Sequence, residues 1–253
     1  MSKRVLITGG GSGIGKAMAE TFAAQGARVL VTDMAEAALA KCPDNWLKMT
    51  GDASDPVHMQ AVFARLADQW QGVDVVCANA GIAGPTALVE NVELGDFRRC
   101  VAVNLEAAFL AAKYAAPMMK AQKSGVILIT SSMAGVHGFP NRAPYAVAKW
   151  AMIGLMKTLA MELGPHGIRA NALAPGCVEG PRIDGVIERE AKAKGTTPDI
   201  IRTGYQAGVS MRSFVSAHDV ANMAVFLASD GARLVSGQVI AVDGHTENPD
   251  PKV

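Results

Sequence analysis

The sequence predicts an α/β protein built on one doubly wound, mostly parallel sheet with helices on both faces. Three observations carry this. Short apolar, β-branched runs alternate with segments of helical periodicity along the 253 residues. The first run passes directly into a glycine-rich loop and then a helix. Half of the residues are hydrophobic and no Pro/Gly/Ser linker or charge run marks a boundary, so one domain over 1–253 is expected.

The elements follow in order. Arg4–Thr8 is a strand by its apolar run, and Gly9 to Gly15 follow as the loop. Lys16–Gln25 has helical pattern and is ended by Gly26. Further strands are expected near 28–32, 46–50, 73–78, 125–131, 168–174 and 238–242, with helices between them, among them about 93–120 and 144–164. Residues 177–212 are left over as a lid, helical in two pieces with Gly195-Thr-Thr-Pro198 between.

Strand, glycine loop and helix in that order suit a dinucleotide pyrophosphate. Glycines allow close backbone approach, and the helix N-terminus offers free N–H groups and a positive dipole end. Gly9, Ser12, Gly13, Ile14 and Gly15 are therefore cofactor-binding candidates. The second strand ends at Asp33, eighteen residues after Gly15, where a carboxylate accepts from both ribose hydroxyls. It would repel a 2′-phosphate and has no neighbouring arginine, so NAD is favoured over NADP.

Tyr145 and Lys149 are an i,i+4 pair on one helix face. A phenol titrates near ~10, too high for a base at neutral pH, and a lysine ammonium beside it favours the phenolate. A serine hydroxyl at the same point could orient the oxygen of an alcohol or ketone. Gly125–Thr130 delivers both Ser131 and Ser132 to its strand end, and adjacent residues point to opposite faces, so only one should reach the crevice.

Together these residues resemble the classical short-chain dehydrogenase/reductase family from about residue 4 to 244. Thr8-Gly9-x-x-x-Gly13-x-Gly15, Asn79-Ala80-Gly81, Asn104, Ser132, Tyr145, Lys149, Pro175-Gly176 and Val242-Asp243-Gly244 are similar to its motifs in order and spacing. The resemblance implies a seven-stranded sheet, an NAD-dependent alcohol–ketone oxidoreductase and a homotetramer pairing the helices 93–120 and 144–164. Within the first of these helices, Ala107-Ala-Phe-Leu-Ala-Ala112 and Ala115-Ala116 would allow close packing, either between subunits or on the chain's own sheet. It makes Asn104, Ser132, Tyr145 and Lys149 the catalytic set, with Ser132 selected by its thirteen-residue spacing to Tyr145. Tyr145 would exchange the proton, Lys149 hold its pKa down and bind the ribose, Ser132 orient the substrate and Asn104 hold a relay water. Asp52 and Ala53 would meet the adenine, and Asn79, Ala80, Gly81, Pro175, Gly176 and Val178 the rest of the cofactor. Glycine at 180 replaces the threonine common after Pro-Gly-x-Val, so carboxamide anchoring is expected on backbone near Val178.

For the substrate, His137, Arg142 and Arg182 are the candidates near the crevice. The lid resembles in length that of the family's hydroxybutyrate dehydrogenases, where a lysine at the place of Arg142 helps hold a carboxylate. The glutamine and histidine that assist it there correspond to Ala83 and Ala134. An exposed Arg142 without ligand is therefore expected, with a neutral polyol, sugar or hydroxyketone as substrate. The alternative is a small anionic hydroxy acid or hydroxy sulfonate on Arg142.

A binding module that senses NAD without catalysis needs the glycine loop and Asp33 but not the catalytic set, and all four of those positions are filled. The extended relatives that act as nucleotide-sugar epimerases are disfavoured by length. A net charge of +1 gives no reason to expect nucleic acid, and no apolar run approaches ~18 residues, so no membrane span is expected. The first strand follows the amino terminus too closely for a signal peptide, which suggests a cytoplasmic protein. Cys42, Cys77, Cys100 and Cys177 lack metal-type spacing, the five histidines form no ligand pair, and no metal is expected.

Overall fold

β1 (Arg4–Thr8) can sit inside the sheet because both its faces are apolar: Val5 and Ile7 enter one core and Leu6 the other, all fully buried. Successive strand side chains point to opposite faces, so a strand covered on both sides must be apolar throughout. The alternation recurs in β2 (Arg28–Asp33), with Val29 and Val31 on one face and Leu30 on the other. β3 (Leu47–Thr50), β4 (Val75–Ala78), β5 (Gly125–Thr130), β6 (Ile168–Pro175) and β7 (Val239–Val242) complete the seven-stranded sheet. Its order is β3-β2-β1-β4-β5-β6-β7 and every pairing is parallel. The computed structural model describes residues 2–250.

The helices are α1 (Gly13–Ala24), α2 (Glu36–Leu39), α3 (Pro56–Trp70), α4 (Leu94–Val101), α5 (Ala107–Gln122), α6 (Ala143–Leu163), α7 (Pro181–Lys194), α8 (Pro198–Ala207) and α9 (Ala217–Leu227). α1 and α9 cover one face of the sheet; α3, α5 and α6 cover the other. Their ends follow local chemistry. The Asp55 carboxylate accepts from the Val57 amide at 2.9 Å and Pro56 fills the first turn of α3. Ser216 and Asp219 form a reciprocal capping box at α9.

The structure departs from the sequence reading at two helices. α1 begins at Gly13, so Gly13, Ile14 and Gly15 lie in its first turn rather than in the loop. A single helix over 93–120 is replaced by α4 and α5, joined by a π-helical turn at Ala102–Glu106 that contains Asn104. Ala107, Ala108, Ala111, Ala112 and Ala115 are buried in the chain's own core, so that row of small residues packs on its own sheet.

The lid is helical in two pieces, α7 and α8, with its own small core of Ile187, Ala191, Ile201, Tyr205 and Phe214. Arg202 bridges Glu179 at 3.3 Å and also Asp184. After β7 the chain returns across the lid. Thr246 pairs with Val209, and the amides of Glu247 and Asn248 donate to the Gly208 carbonyl at 2.9 and 3.1 Å. Lys194 holds Glu190 at 3.0 Å and Asp250 at 3.2 Å.

Candidate active site

The strand order reverses between β1 and β4, and a parallel sheet opens a crevice at its carboxyl edge at such a point. A cavity of about 790 Å³ lies there, running from the glycine loop past Tyr145 to the lid.

At one end the loop after β1 passes under α1. Ser12 is extended, with φ −154° and ψ 171°, and releases the chain into the helix at Gly13. A side chain at Gly15 would collide with the Gly9 carbonyl oxygen, so helix and loop touch here through backbone alone. Asn79 fixes the loop from β4: its Nδ2 donates to the carbonyls of Thr8 and Gly9, each at 3.2 Å. The amides of Asn79 and Ala80 both donate to the Thr8 hydroxyl at 3.0 Å. Asp33 ends β2 beside the cavity, its carboxylate accepting from the amides of Gly11 and Ala35 at 3.0 Å. Asp52 accepts from the Ser54 amide at 2.8 Å, and it lines the cavity together with Ala53. Gly9, Ser12, Gly13, Ile14, Gly81, Pro175, Gly176 and Val178 are also in the lining, whereas Gly15 lies behind it.

At the other end β5 and α6 meet. Both serines line the cavity, against the expectation that only one would reach it, because Ser131 sits at the strand end where it donates to the Lys149 carbonyl at 2.9 Å. Ser132 is the serine that approaches the Tyr145 hydroxyl and favours its ionisation. Lys149 is buried, and its Nζ donates to the Thr130 carbonyl at 2.7 Å. Burial disfavours its ammonium and pulls its pKa from 10.5 to about 8, with Tyr145 acting in the opposite sense. Burial also opposes the Tyr145 phenolate, but Lys149, Arg182, the Ser132 hydroxyl and Arg142 outweigh it, and the phenol is held below its usual value. The Lys149 Nζ lies 5.5 Å from the Tyr145 ring centre.

Asn104 is fully buried behind Gly81 and does not itself line the cavity. The π turn directs its Nδ2 to the carbonyls of Cys100, at 2.8 Å, and Ile82, at 3.0 Å. Its Oδ1 has no hydrogen-bond partner among the described residues. A side chain built at Gly81 would come within 2.5 Å of that oxygen and 3.5 Å of the Lys149 Nζ, so glycine keeps this approach open.

Arg142 corrects the sequence reading. It is 5% exposed, and its guanidinium carbon sits 4.9 Å from the Tyr145 ring centre. The Phe139 loop and the start of α6 fold it inward, and its Nη2 donates to the Ala83 carbonyl at 3.0 Å. Arg182 also lines the cavity, 5.9 Å from the same ring. His137 does not line it, and its carbonyl accepts from the Trp150 indole at 3.2 Å. Several lining residues escaped the sequence reading. Val186, Tyr205 and Val209 come from the lid, Phe139 from the loop before α6, and Thr246 and Asn248 from the returning tail. An apolar residue in the lid reads as ordinary packing, and nothing local in the tail announces that it turns back.

Fold and crevice together define a dinucleotide-binding oxidoreductase architecture, and comparison with known proteins agrees. A family model described as enoyl-(acyl carrier protein) reductase matches residues 9–245. The chain is 32% identical to levodione reductase of Leifsonia aquatica, over 95% of this chain and 92% of that one. It is 34% identical to (+)-borneol dehydrogenase 1 of Salvia officinalis, over 96% and 92%. The crystal structure of an NAD+-bound xylitol dehydrogenase superposes with a TM-score of 0.91 at 28% identity, over 95% of this chain and 97% of that one. The chain belongs to the short-chain dehydrogenase/reductase family.

Proposed function

We propose that the protein is an NAD-dependent oxidoreductase that interconverts a secondary alcohol and its ketone. The observation that carries the reading is the Tyr145 phenol, held below its usual pKa beside a buried lysine in the crevice. Relatives named as a levodione reductase and a borneol dehydrogenase support the reaction class.

The residues present fit a dinucleotide. Gly9, Ser12, Gly13 and Ile14 would hold the pyrophosphate, with Gly15 permitting the close contact of loop and helix. Asp33 would take the adenosine ribose, Asp52 and Ala53 the adenine, and Asn79, Ala80 and Gly81 the middle of the molecule. Pro175, Gly176 and Val178 would flank the nicotinamide, which when bound supplies the hydride acceptor. In the direction of oxidation Tyr145 takes the hydroxyl proton as a phenolate. Ser132 orients the substrate oxygen, and Lys149 sustains the phenolate electrostatically. The unpartnered Asn104 Oδ1 would hold a water that passes the proton outward.

The neutral class of polyol, sugar or hydroxyketone rests on an exposed Arg142; its burial removes that reason and gives the anionic class its footing. The reaction class is tested by NADH absorbance with NAD and a panel of secondary alcohols. Tyr145→Phe is expected to lower kcat by ~10²–10⁴ or more, while the dinucleotide still binds. Turnover near the unmodified level in that variant would overturn the assignment. So would dinucleotide binding without turnover of any alcohol or ketone, the behaviour of a sensor.

A further inference from the structure

Glu190 is a buried carboxylate that the reaction does not use. It stands on α7 inside the lid and is 4% exposed. A carboxylate in such a place is costly unless it is both paired and hydrogen-bonded. Glu190 has both partners: the Tyr205 hydroxyl donates to it from α8, and the Lys194 ammonium lies 3.0 Å away. Each partner reaches beyond the lid. Lys194, the last residue of α7, also meets Asp250 of the returning tail at 3.2 Å. Tyr205 lines the crevice, and its ring stacks on Phe139 of the loop before α6, with ring centres 6.3 Å apart. Asp250, Lys194, Glu190 and Tyr205 therefore form a continuous bridge from the tail to the crevice wall. Burial opposes the Lys194 ammonium, but Glu190 and Asp250 outweigh it and hold its pKa above the usual lysine value. The charge in the bridge thus persists through neutral pH.

The lid needs such a fastening because of how it is hung. At its neck Val178 pairs with Val215, the Glu179 amide donates to the Val215 carbonyl and the Val215 amide to the Cys177 carbonyl, each at 2.9 Å. Gly180 follows at φ +131°, a conformation that favours glycine, and α7 starts at the next residue. A helix pair on so narrow a neck is positioned by the contacts at its far side, and the tail supplies them. The amides of Ser210 and Met211 donate to the carbonyls of His245 and Gly244 at 2.9 and 3.1 Å. The Ser210 hydroxyl lies 2.6 Å from His245 Nδ1 and donates to Glu247 at 2.7 Å. A side chain at Gly208 would strike the Asn248 carbonyl oxygen, so lid and tail touch there through backbone.

We propose that Glu190 and Lys194 are positioning residues for substrate binding: together they tie Tyr205 to the tail at Asp250 and hold the lid down on Phe139 over the crevice. The proposal rests on the alcohol–ketone reading for the molecule that this wall encloses. Glu190, Lys194 and Asp250 do not line the cavity. Loosening the bridge therefore changes how often the lid is down and leaves the reacting groups beneath it as they are. A site whose competent form is only partly populated binds more weakly by that fraction. The effect belongs in KM, with kcat and dinucleotide affinity nearly kept.

The test combines turnover with a measurement that needs no reaction. The full-length protein and its Lys194→Met and Lys194→Arg variants are assayed with NAD and cyclohexanol or cyclohexane-1,2-diol, and NADH affinity is read by fluorescence titration. Lys194→Met should raise KM by at least ~10-fold, with kcat within ~3-fold and the NADH Kd within ~2-fold of the unmodified protein. Lys194→Arg, which keeps the charge, should bring KM back to within ~3-fold. In the NADH-saturated protein, amide hydrogen exchange in α7 and α8 should quicken at least ~10-fold in Lys194→Met while exchange in α5 is unchanged. An unchanged KM overturns the proposal whether or not exchange quickens, because an ion pair with a merely structural role would leave substrate binding alone. A fall in kcat at constant KM overturns it as well, and so does exchange in α7 and α8 that keeps the unmodified rate. If exchange quickens in Lys194→Met, is restored in Lys194→Arg, and the unmodified protein turns over no alcohol or ketone, the fastening stands and the reaction reading falls. A Lys194→Met chain that fails to fold would leave Asp250→Asn and Tyr205→Phe to decide. Each is expected to raise KM by at least ~3-fold, Tyr205→Phe keeping the ring and losing only its anchor; an unaltered KM in both counts against the proposal.

Discussion

Burying a phenol raises its pKa, so Tyr145 can serve as a base only if neighbouring cations outweigh burial. Lys149 is the largest of these influences, followed by Arg182, the Ser132 hydroxyl and Arg142. In alcohol oxidation kcat/KM should therefore rise with pH through the Tyr145 pKa and level off once the phenolate is formed. Lys149→Met removes the strongest cation, and the rising limb should move to higher pH; a limb that stays in place would mean that another group is titrating. Asp33 is fixed by two backbone amides, which aims its carboxylate at the end of the cavity nearest β2. Placing that charge beside a 2′-phosphate costs more than the 1.4 kcal/mol of a tenfold step. NAD is thus expected to exceed NADP in kcat/KM by at least ~10-fold, and Asp33→Ala to narrow the gap. Equal use of both by the unaltered protein would contradict this. At this scale the crevice residues around the glycine loop and beside Tyr145 were legible, because the glycine loop and Tyr145-x-x-x-Lys149 are local patterns. The burial of Arg142 was not, since it depends on Ala83, which reaches its guanidinium from a distant part of the chain.

Elements show why some boundaries could be read and others could not. Strands buried on both faces leave an apolar run of their own length, and β1, β2 and β5 fall where such runs do. A π turn has no comparable signature, so the break between α4 and α5 was invisible although it sets the position of Asn104. The start of α1 inside the glycine motif separates two kinds of glycine. Gly13 has φ +52° but open space around its missing side chain, whereas a side chain at Gly15 would strike the Gly9 carbonyl. Gly13→Ala should then carry only the cost of a left-handed residue, about 1 kcal/mol. Gly15→Ala forces loop and helix apart, at about 1–3 kcal/mol, and should weaken dinucleotide affinity by at least ~10-fold. Chemical denaturation and fluorescence titration of the two variants would decide; equal losses would mean that the contact at Gly15 relaxes freely.

The whole molecule leaves apolar surface that its own sheet does not use. With the alanines of α5 turned inward, what remains outward on α5 and α6 is larger: Phe109, Val147, Trp150 and Met161 are between 47% and 80% exposed. Single exposed apolar residues are ordinary, but aromatic and methionine side chains on two long neighbouring helices are the composition of an association surface. A homotetramer through these helices is the assembly we expect, as the family resemblance implies, with these larger side chains rather than the alanines of α5 at the contact. Close approach of backbones is not required; larger side chains can interdigitate across the contact. Light scattering at micromolar concentration should give a mass near four times the 26.3 kDa subunit. Trp150→Glu, which places a charge where an aromatic side chain would be covered, should shift that mass downward while far-ultraviolet circular dichroism is retained. A mass near one subunit for the unaltered chain would refute the assembly, and a tetramer indifferent to Trp150→Glu would move its contacts to other surfaces.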